Sequence, residues 1–323
     1  ITVAGTGTFV TDVNDIDIVL DSDNAITGAL TFTTQTSGST NGADITFDNG
    51  STAISLAAFV TEGDLTLKTD AAIALTGHNV QGDLSVTSAG AITQSAALTV
   101  SGTSGFTSTG TNTNITLSTD SNALTGAVSA VTAGTSGDVT IDNGTTALNI
   151  GTLTANGDLS IRGGNGITDS GVITVSGTSL FNSDVTAKAI TLDSTNAMTG
   201  AVSITHTGSA NVAIDNGTTA LNLGTVGVGQ NFEARSGGGI TDSGVITVAG
   251  TSLFNSDVSG QVITLDSTNA MTGAVSITHS GSANVAIDNG TTALNLGTVT
   301  VGQNFEARSG GGITDSGVIT VAG

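Results

Sequence analysis

Apolar positions in this chain fall into very short alternating runs, each introduced by an Asp, an Asn or a small residue. The runs include DITF at Asp44, DLTL at Asp64, DLSV at Asp83, NITL at Asn114, DVTI at Asp138 and DLSI at Asp158. They continue as AITL at Ala189, NVAI at Asn211, NFEA at Asn231, VITL at Val262, NVAI at Asn284 and NFEA at Asn304. A period of two is the strand period, so Ile190 and Leu192 face one side and Thr191 the other. Runs of three to five residues are too short to be stable as isolated strands. They must stack on one another, and Gly, Asn and Asp between them supply tight corners.

Internal repetition says how they stack. ITVSGTSLFNSDV at Ile173 recurs as ITVAGTSLFNSDV at Ile246, and the copies 173–245 and 246–318 differ at seven positions. DNGTTALN stands at Asp142, Asp215 and Asp288, with a diverged DNGSTAIS at Asp48. NALTG at Asn122 matches NAMTG at Asn196 and Asn269 and NAITG at Asn24. The period is 73 residues. With the short runs spaced by about 20, 22 and 31 residues, the pattern predicts three coils per 73-residue repeat and about thirteen coils in all. The expected fold is all-β: a parallel β-solenoid, or β-helix, whose coils pair about 4.8 Å apart into a rod roughly 60 Å long. Four repeat units follow, 1–97 with one additional coil, 98–172, 173–245 and 246–323, read as one continuous solenoid.

Composition agrees and narrows the function. Thr and Ser are abundant, Gly numbers 46, Glu only three, and Pro, Cys, Trp and Tyr are absent. Long helices need more Glu, Leu and Lys, and a disordered chain would carry less Val and Ile. Net charge is −21 with five Lys and Arg. Phosphate binding needs clustered cations, so nucleic acid is excluded as an expected partner. Anionic membrane surfaces are disfavoured for the same reason, and no apolar run of about 18 residues predicts membrane insertion. Without Cys there are no disulfides and no thiolate chemistry.

The stretches GDLSVTSAGAITQSAALTVSGTSGF at Gly82 and ITLSTDSNALTGAVSAVTAG at Ile115 resemble repeats of very large bacterial surface proteins. These are β-strand-repeat exoproteins and adhesins related to filamentous haemagglutinin. The resemblance covers essentially the whole chain and rests on turn-and-strand signatures, which specify architecture more than ligand. It implies secretion, an extracellular or cell-surface location, and a role in adhesion, biofilm or a surface filament.

Candidate sites are few. Asp15, Asp17 and Asp21 lie in the acidic run TDVNDIDIVLDSDN, and carboxylates so spaced are the candidate Ca²⁺ ligands. The competing reading is turn chemistry, in which Asp accepts bonds from nearby backbone N–H groups. GGNGITD at Gly163 is similar to calcium-binding nonapeptide repeats, but Asp169 stands one position too late. Phe181 and Phe254, in TSLFNSD, are candidate interaction residues if they project outward, and core residues if they do not. Lys68, Arg162, Arg235 and Arg308 each follow an apolar run and are expected to cover corner carbonyls and offset nearby Asp, with Glu233 and Glu306 as strand partners. His78, His206 and His279 are expected as solvent-facing strand ends. NGS at Asn49 and NGT at Asn143, Asn216 and Asn289 match glycosylation sequons, but Asn-Gly is also a favoured turn pair.

No catalysis is expected. Glycoside cleavage needs two well-placed carboxylates, usually with aromatic platforms, and this chain has neither Trp nor Tyr. Outward Thr residues are interrupted by Ala213, Glu233 and Ser203, too ragged a rank for ice binding. ITVAG opens the chain at Ile1 and closes it at Ile319, at one phase of the repeat. Its expected partners are therefore neighbouring repeats of a longer chain or copies of itself stacked end to end, together with a host-surface or glycan receptor. The reading is a structural or adhesive segment of a bacterial extracellular fibre, with no cofactor other than Ca²⁺. The alternative is a polysaccharide-binding or polysaccharide-cleaving β-helix, which an outward cluster of acids beside a groove would favour.

Overall fold

The computed structural model describes residues 1–35, 42–119, 122–183, 187–206, 208–256, 258–279 and 281–323. Every regular element among these is a β-strand, and every pairing is parallel. The chain divides into two compact units, Ile1–Gly163 and Gly164–Gly323. Each is a parallel β-solenoid.

In the first unit one ladder runs Ile18–Leu20, Ile45–Asp48, Leu65–Thr69, Leu84–Ser88, Ser104–Thr111, Ala127–Ala133 and Leu148–Ala155. A second runs Ile73–Leu75, Ile92–Gln94, Ile115–Leu117, Val139–Asp142 and Leu159–Arg162. Two-residue strands such as Asn79–Val80, Thr99–Val100 and Ala123–Leu124 stack along a third side. Inward positions are fully covered: Leu65, Leu67, Ile115 and Leu117 are all 0% exposed. Period-two alternation thus becomes two faces, one packed against the interior and one left to water.

The second unit has two long ladders. The first passes through Ile167–Asp169, Ile190–Leu192, Val212–Asp215, Phe232–Arg235, Ser252–Ser256, Ala274–His279, Leu294–Val301 and Ile313–Asp315. The second passes through Ser179–Ser183, Ala201–His206, Leu221–Val228, Ile240–Asp242, Ile263–Leu265, Val285–Asp288 and Phe305–Arg308. The long strand Leu221–Val228 shifts register at its centre. Its halves pair with two separate short strands, Ile240–Asp242 and Ile246–Val248.

These ladders correct the expected coil count. Counting rungs on the first ladder of each unit gives about 15 turns rather than thirteen. The identical motif FEAR lies on the first ladder at Phe232–Arg235 and on the second at Phe305–Arg308. SLFNS makes the opposite move, from Ser179–Ser183 on the second ladder to Ser252–Ser256 on the first. Each 73-residue repeat is therefore three and a half coils, not three, and consecutive repeats present the same side chains on opposite faces. The cause is visible in the 31-residue gap between NFEA at Asn231 and VITL at Val262. That gap holds the strand Ser252–Ser256, which stacks directly on Phe232–Arg235, after which the chain needs only half a coil to reach Ile263.

Close stacking fixes two classes of glycine. In DNG, Gly50, Gly144, Gly217 and Gly290 have φ between 51° and 56°, a left-handed conformation that glycine adopts without strain. In NAMTG the constraint is space. A Cβ on Gly200 would stand 2.1 Å from the Gly177 carbonyl oxygen, and one on Gly273 would stand 2.2 Å from that of Gly250.

Candidate functional site

The three acidic candidates do not converge. Asp15 sits in a left-handed turn, with φ 58°. Asp17 Oδ1 accepts the Asp44 backbone N–H at 2.9 Å, and Asp21 is exposed beyond the strand Ile18–Leu20. No group of three or more acidic, His or Cys side chains among the described residues could hold a metal ion. Asp17 instead begins a ladder of its own. Asp64 N–H donates to Asp44, Asp83 N–H to Asp64 and Thr103 N–H to Asp83, at 2.8, 2.7 and 2.6 Å. Asp169 is likewise a turn residue, accepting the Asp193 and Ser194 N–H groups and the Asn196 amide. Its counterpart Asp242 repeats the arrangement with Asp266, Ser267 and Asn269. Burial holds the Asp242 carboxyl above the usual carboxylate range, against the opposing pull of those three hydrogen bonds.

Phe181 and Phe254 are not surface contacts. Both are 0% exposed, because the alternation of SLFNS turns Ser179, Phe181 and Ser183 inward and leaves Leu180 outside. Phe254 meets Phe232 of the preceding coil edge to face, with ring centroids 5.9 Å apart. The histidines also overturn expectation: His78, His206 and His279 are each 1% exposed. His78 lies 4.8 Å from the Phe59 ring, its Nδ1 has no partner, and burial pushes its pKa down to about 4. His279 accepts the Gly281 N–H at Nδ1, and its Nε2 lies against the Gln261 carbonyl oxygen.

The basic residues pair as expected, in two ways. Lys68 and Arg162 reach back one coil to Asp48 and Asp142, at 2.6 and 2.7 Å. Arg235 and Arg308 take Glu233 and Glu306 of their own strands, both at 2.6 Å. Where Glu is present a shallow groove opens beside the pair. One groove, of about 330 Å³, is lined by Asp193, Asp215, Glu233 and Arg235. Its counterpart, of about 270 Å³, is lined by Asp266, Asp288, Glu306 and Arg308, 73 residues on and therefore on the opposite face.

Sequence reading placed the asparagines in turns and missed that they are braces. Asn49, Asn143, Asn216 and Asn289 are 0% exposed, so the sequons they head present no accessible amide in the folded chain. Each braces two coils. Asn216 Oδ1 accepts the Met198 N–H, while its Nδ2 donates to the carbonyls of Met198, Thr219 and Ala220. Asn289 does the same with Met271, Thr292 and Ala293. The NAxTG asparagines form a second brace: the N–H groups of Leu98, Ile173 and Ile246 donate to Asn122, Asn196 and Asn269, all at 2.8 Å. A buried amide bonded at both ends satisfies backbone groups that the corner would otherwise orphan. The available signal was the strict recurrence of Asn, rather than Asp or Ser, in both motifs.

The chain matches a family described as repeats of unknown function (DUF5649) at residues 62–131, 136–205, 209–278 and 282–323. This chain belongs to that family. Successive copies begin 74, 73 and 73 residues apart, so the family unit is the three-and-a-half-coil repeat. No curated protein and no solved structure matches the chain.

Proposed function

We propose that this member of the repeat family is a structural segment of a bacterial extracellular fibre or surface adhesin, acting by stiffness and length rather than by catalysis. The observation that carries the reading is the brace system. Each repeat spends its most constrained residues, two buried asparagines and the turn aspartate, on holding one coil to the next. A unit so built is lengthened by adding repeats and contacts only its neighbours. Its partners are neighbouring repeats of a longer chain or copies of itself, with a host-surface or glycan receptor at the exposed faces.

The test is electron microscopy of native material, with and without a calcium chelator. The reading expects filaments with an axial repeat of about 17 Å for three and a half coils, and a same-face repeat near 33 Å. Globular particles without either spacing would reject it. Fragmentation on chelation would add Ca²⁺ to the assembly, and indifference would remove it.

One observation favours a second reading, polysaccharide binding. The groove with three carboxylates and an arginine recurs on both faces of the second unit. Glycan-array binding that is lost in an Asp215→Asn, Asp288→Asn double variant, with filaments absent, would favour it over the fibre.

A further inference from the structure

Asn-Gly occurs seven times in this chain, and the fold treats the occurrences very differently. Asn49, Asn143, Asn216 and Asn289 are wholly buried and held as braces. Asn156 is partly covered, and its amide donates to the Thr132 carbonyl at 2.6 Å. Asn41 lies outside the described residues. Asn165 is exposed, and no hydrogen bond holds its side chain.

The turn around Asn165 is also built differently from its equivalents. At Thr69, Ser88, Ser236 and Ser309 a hydroxyl accepts the N–H of the residue two positions on, at 3.0–3.1 Å. The same hydroxyls donate to a carbonyl of the preceding coil, as Ser236 does to Thr219 and Ser309 to Thr292. The equivalent of Ser236 here is Gly163, which has no hydroxyl to close that clasp. The equivalents of Asn165 are Gly238 and Gly311, where a Cβ would stand 2.2 and 2.4 Å from the backbone nitrogens of Ala220 and Ala293. A side chain therefore does not fit the close-packed form of this turn. The residue after Asn165 is Gly166, with φ 102° and no side chain to shield its nitrogen.

We propose that Asn165 is a site of spontaneous modification, converting to a mixture of aspartate and isoaspartate in the folded protein. The Gly166 backbone nitrogen, losing its proton, attacks Cγ of Asn165. The new N–Cγ bond forms as the amide C–N bond breaks and ammonia leaves, giving a cyclic imide. Water then opens either imide carbonyl, so one water is consumed and one ammonia released. Opening at the side-chain carbonyl gives aspartate, and opening at the main-chain carbonyl gives isoaspartate. Either product adds a negative charge close to Lys188, whose Cβ lies 3.6 Å from where a Cβ on Gly166 would stand. Among the described Lys and Arg residues Lys188 is the one with no ion pair. The braced asparagines need a coil to open before their amides can be attacked, and opening of well-packed elements is rare.

The test is peptide mapping by mass spectrometry of the whole folded chain held in mildly alkaline buffer, beside the same chain unfolded in denaturant. The expected result is conversion at Asn165 at least about a hundredfold faster than at Asn49, Asn143, Asn216 or Asn289, with all five converting alike once unfolded. Gly163→Ser, which restores the clasp hydroxyl, should slow Asn165 several-fold while leaving the unfolded-state rate unchanged. Equal rates at Asn165 and the buried four in the folded chain would overturn the proposal. So would an intact Asn165 in the folded chain while the unfolded chain converts there.

Discussion

Two regions of this molecule use the same corner of the coil with different chemistry. In the first unit the residue that precedes the strand is aspartate on four successive coils, Asp17, Asp44, Asp64 and Asp83, each carboxylate accepting the N–H of the next coil. In the second unit two such corner pairs are asparagine: Asn211 accepts the Asn231 N–H and Asn284 the Asn304 N–H, both at 3.3 Å. The backbone bond is common to both. What differs is that a parallel stack sets every residue above its own equivalent, so a charged choice lines up like charges one strand spacing apart, about 4.8 Å. Asparagine supplies the same acceptor without charge, and its Nδ2 adds a rung, as Asn304 does to Asn284 at 3.1 Å. The electrostatics of a solenoid corner thus belong to a column of residues and not to a single position.

The largest effect should come from carrying the charged choice inward. Asn216→Asp keeps the shape but loses the Nδ2 donor to three carbonyls and places a carboxylate where the side chain is wholly buried. A loss of about 3–5 kcal/mol is expected at neutral pH, shrinking in acid where the new carboxyl is neutral. Asn231→Asp, at the exposed corner of the next coil, should cost under about 1 kcal/mol. Chemical denaturation of both variants measures the gap, and similar losses would mean that burial does not separate brace from corner.

Acid should act next, on the first unit. His78, in the first unit, is held at a pKa of about 4 by burial, below its ordinary value of 6.5. Its folded value is depressed, so the neutral ring stabilises the fold fully above about 6.5. That stability is lost as pH falls from 6.5 towards 4, by up to about 3 kcal/mol. Hydrogen exchange across residues 60–100 should accelerate through this window, and His78→Gln should remove that part of the pH dependence. An unchanged slope in the variant would place the acid sensitivity elsewhere.

How much of this was legible follows from what repeats encode. Alternation and the 73-residue period give the solenoid, because strands of three residues have no other way to be stable. The half coil was hidden because SLFNS has Ser where Ile or Leu was expected, so a true strand at Ser179–Ser183 reads as a loop. The same misreading left Phe181 and Phe254 undecided between core and surface, and the strand makes them core. The histidines were misplaced by polarity: His206 ends a strand, but it occupies the inward phase set by Val202 and Ile204. The paired grooves depend on which acid an arginine chooses, a matter of a few ångströms that spacing does not resolve. Asp15, Asp17 and Asp21 were chosen for their density along the chain, whereas stacking relates Asp17 to Asp44 instead.

The charged column itself can be rewritten. Asp44→Asn with Asp64→Asn turns the centre of the aspartate ladder into the asparagine kind. The change should stabilise the first unit by about 0.2–1 kcal/mol per rung removed, because like charges directly opposite are destabilising. The gain should fade as added salt shortens the screening length below the strand spacing, near 1 M. A thermal melt at low and high salt reads both effects. Loss of stability at low salt would show that the carboxylates act as the better acceptors and that their mutual repulsion is already relieved.

The smallest change concerns the corner cations. Lys68 and Arg162 join two coils through Asp48 and Asp142, whereas Arg235 is held by Glu233 two residues away in its own strand. A bond within one strand fixes nothing between coils, and both partners are well exposed. Glu233→Gln should therefore change stability by less than about 0.5 kcal/mol. It also removes the charged in-strand acceptor that competes with Asp215 for the guanidinium, and Arg162 already reaches Asp142 in that way. If Arg235 then turns to Asp215, the variant should gain a salt-sensitive interaction between coils, detected as positive coupling in a double-mutant cycle of Arg235 with Asp215 that is absent from the parent chain. No coupling in either background would mean that the groove stays open whatever the arginine does. The glutamate would then be chosen for the groove and not for the pair.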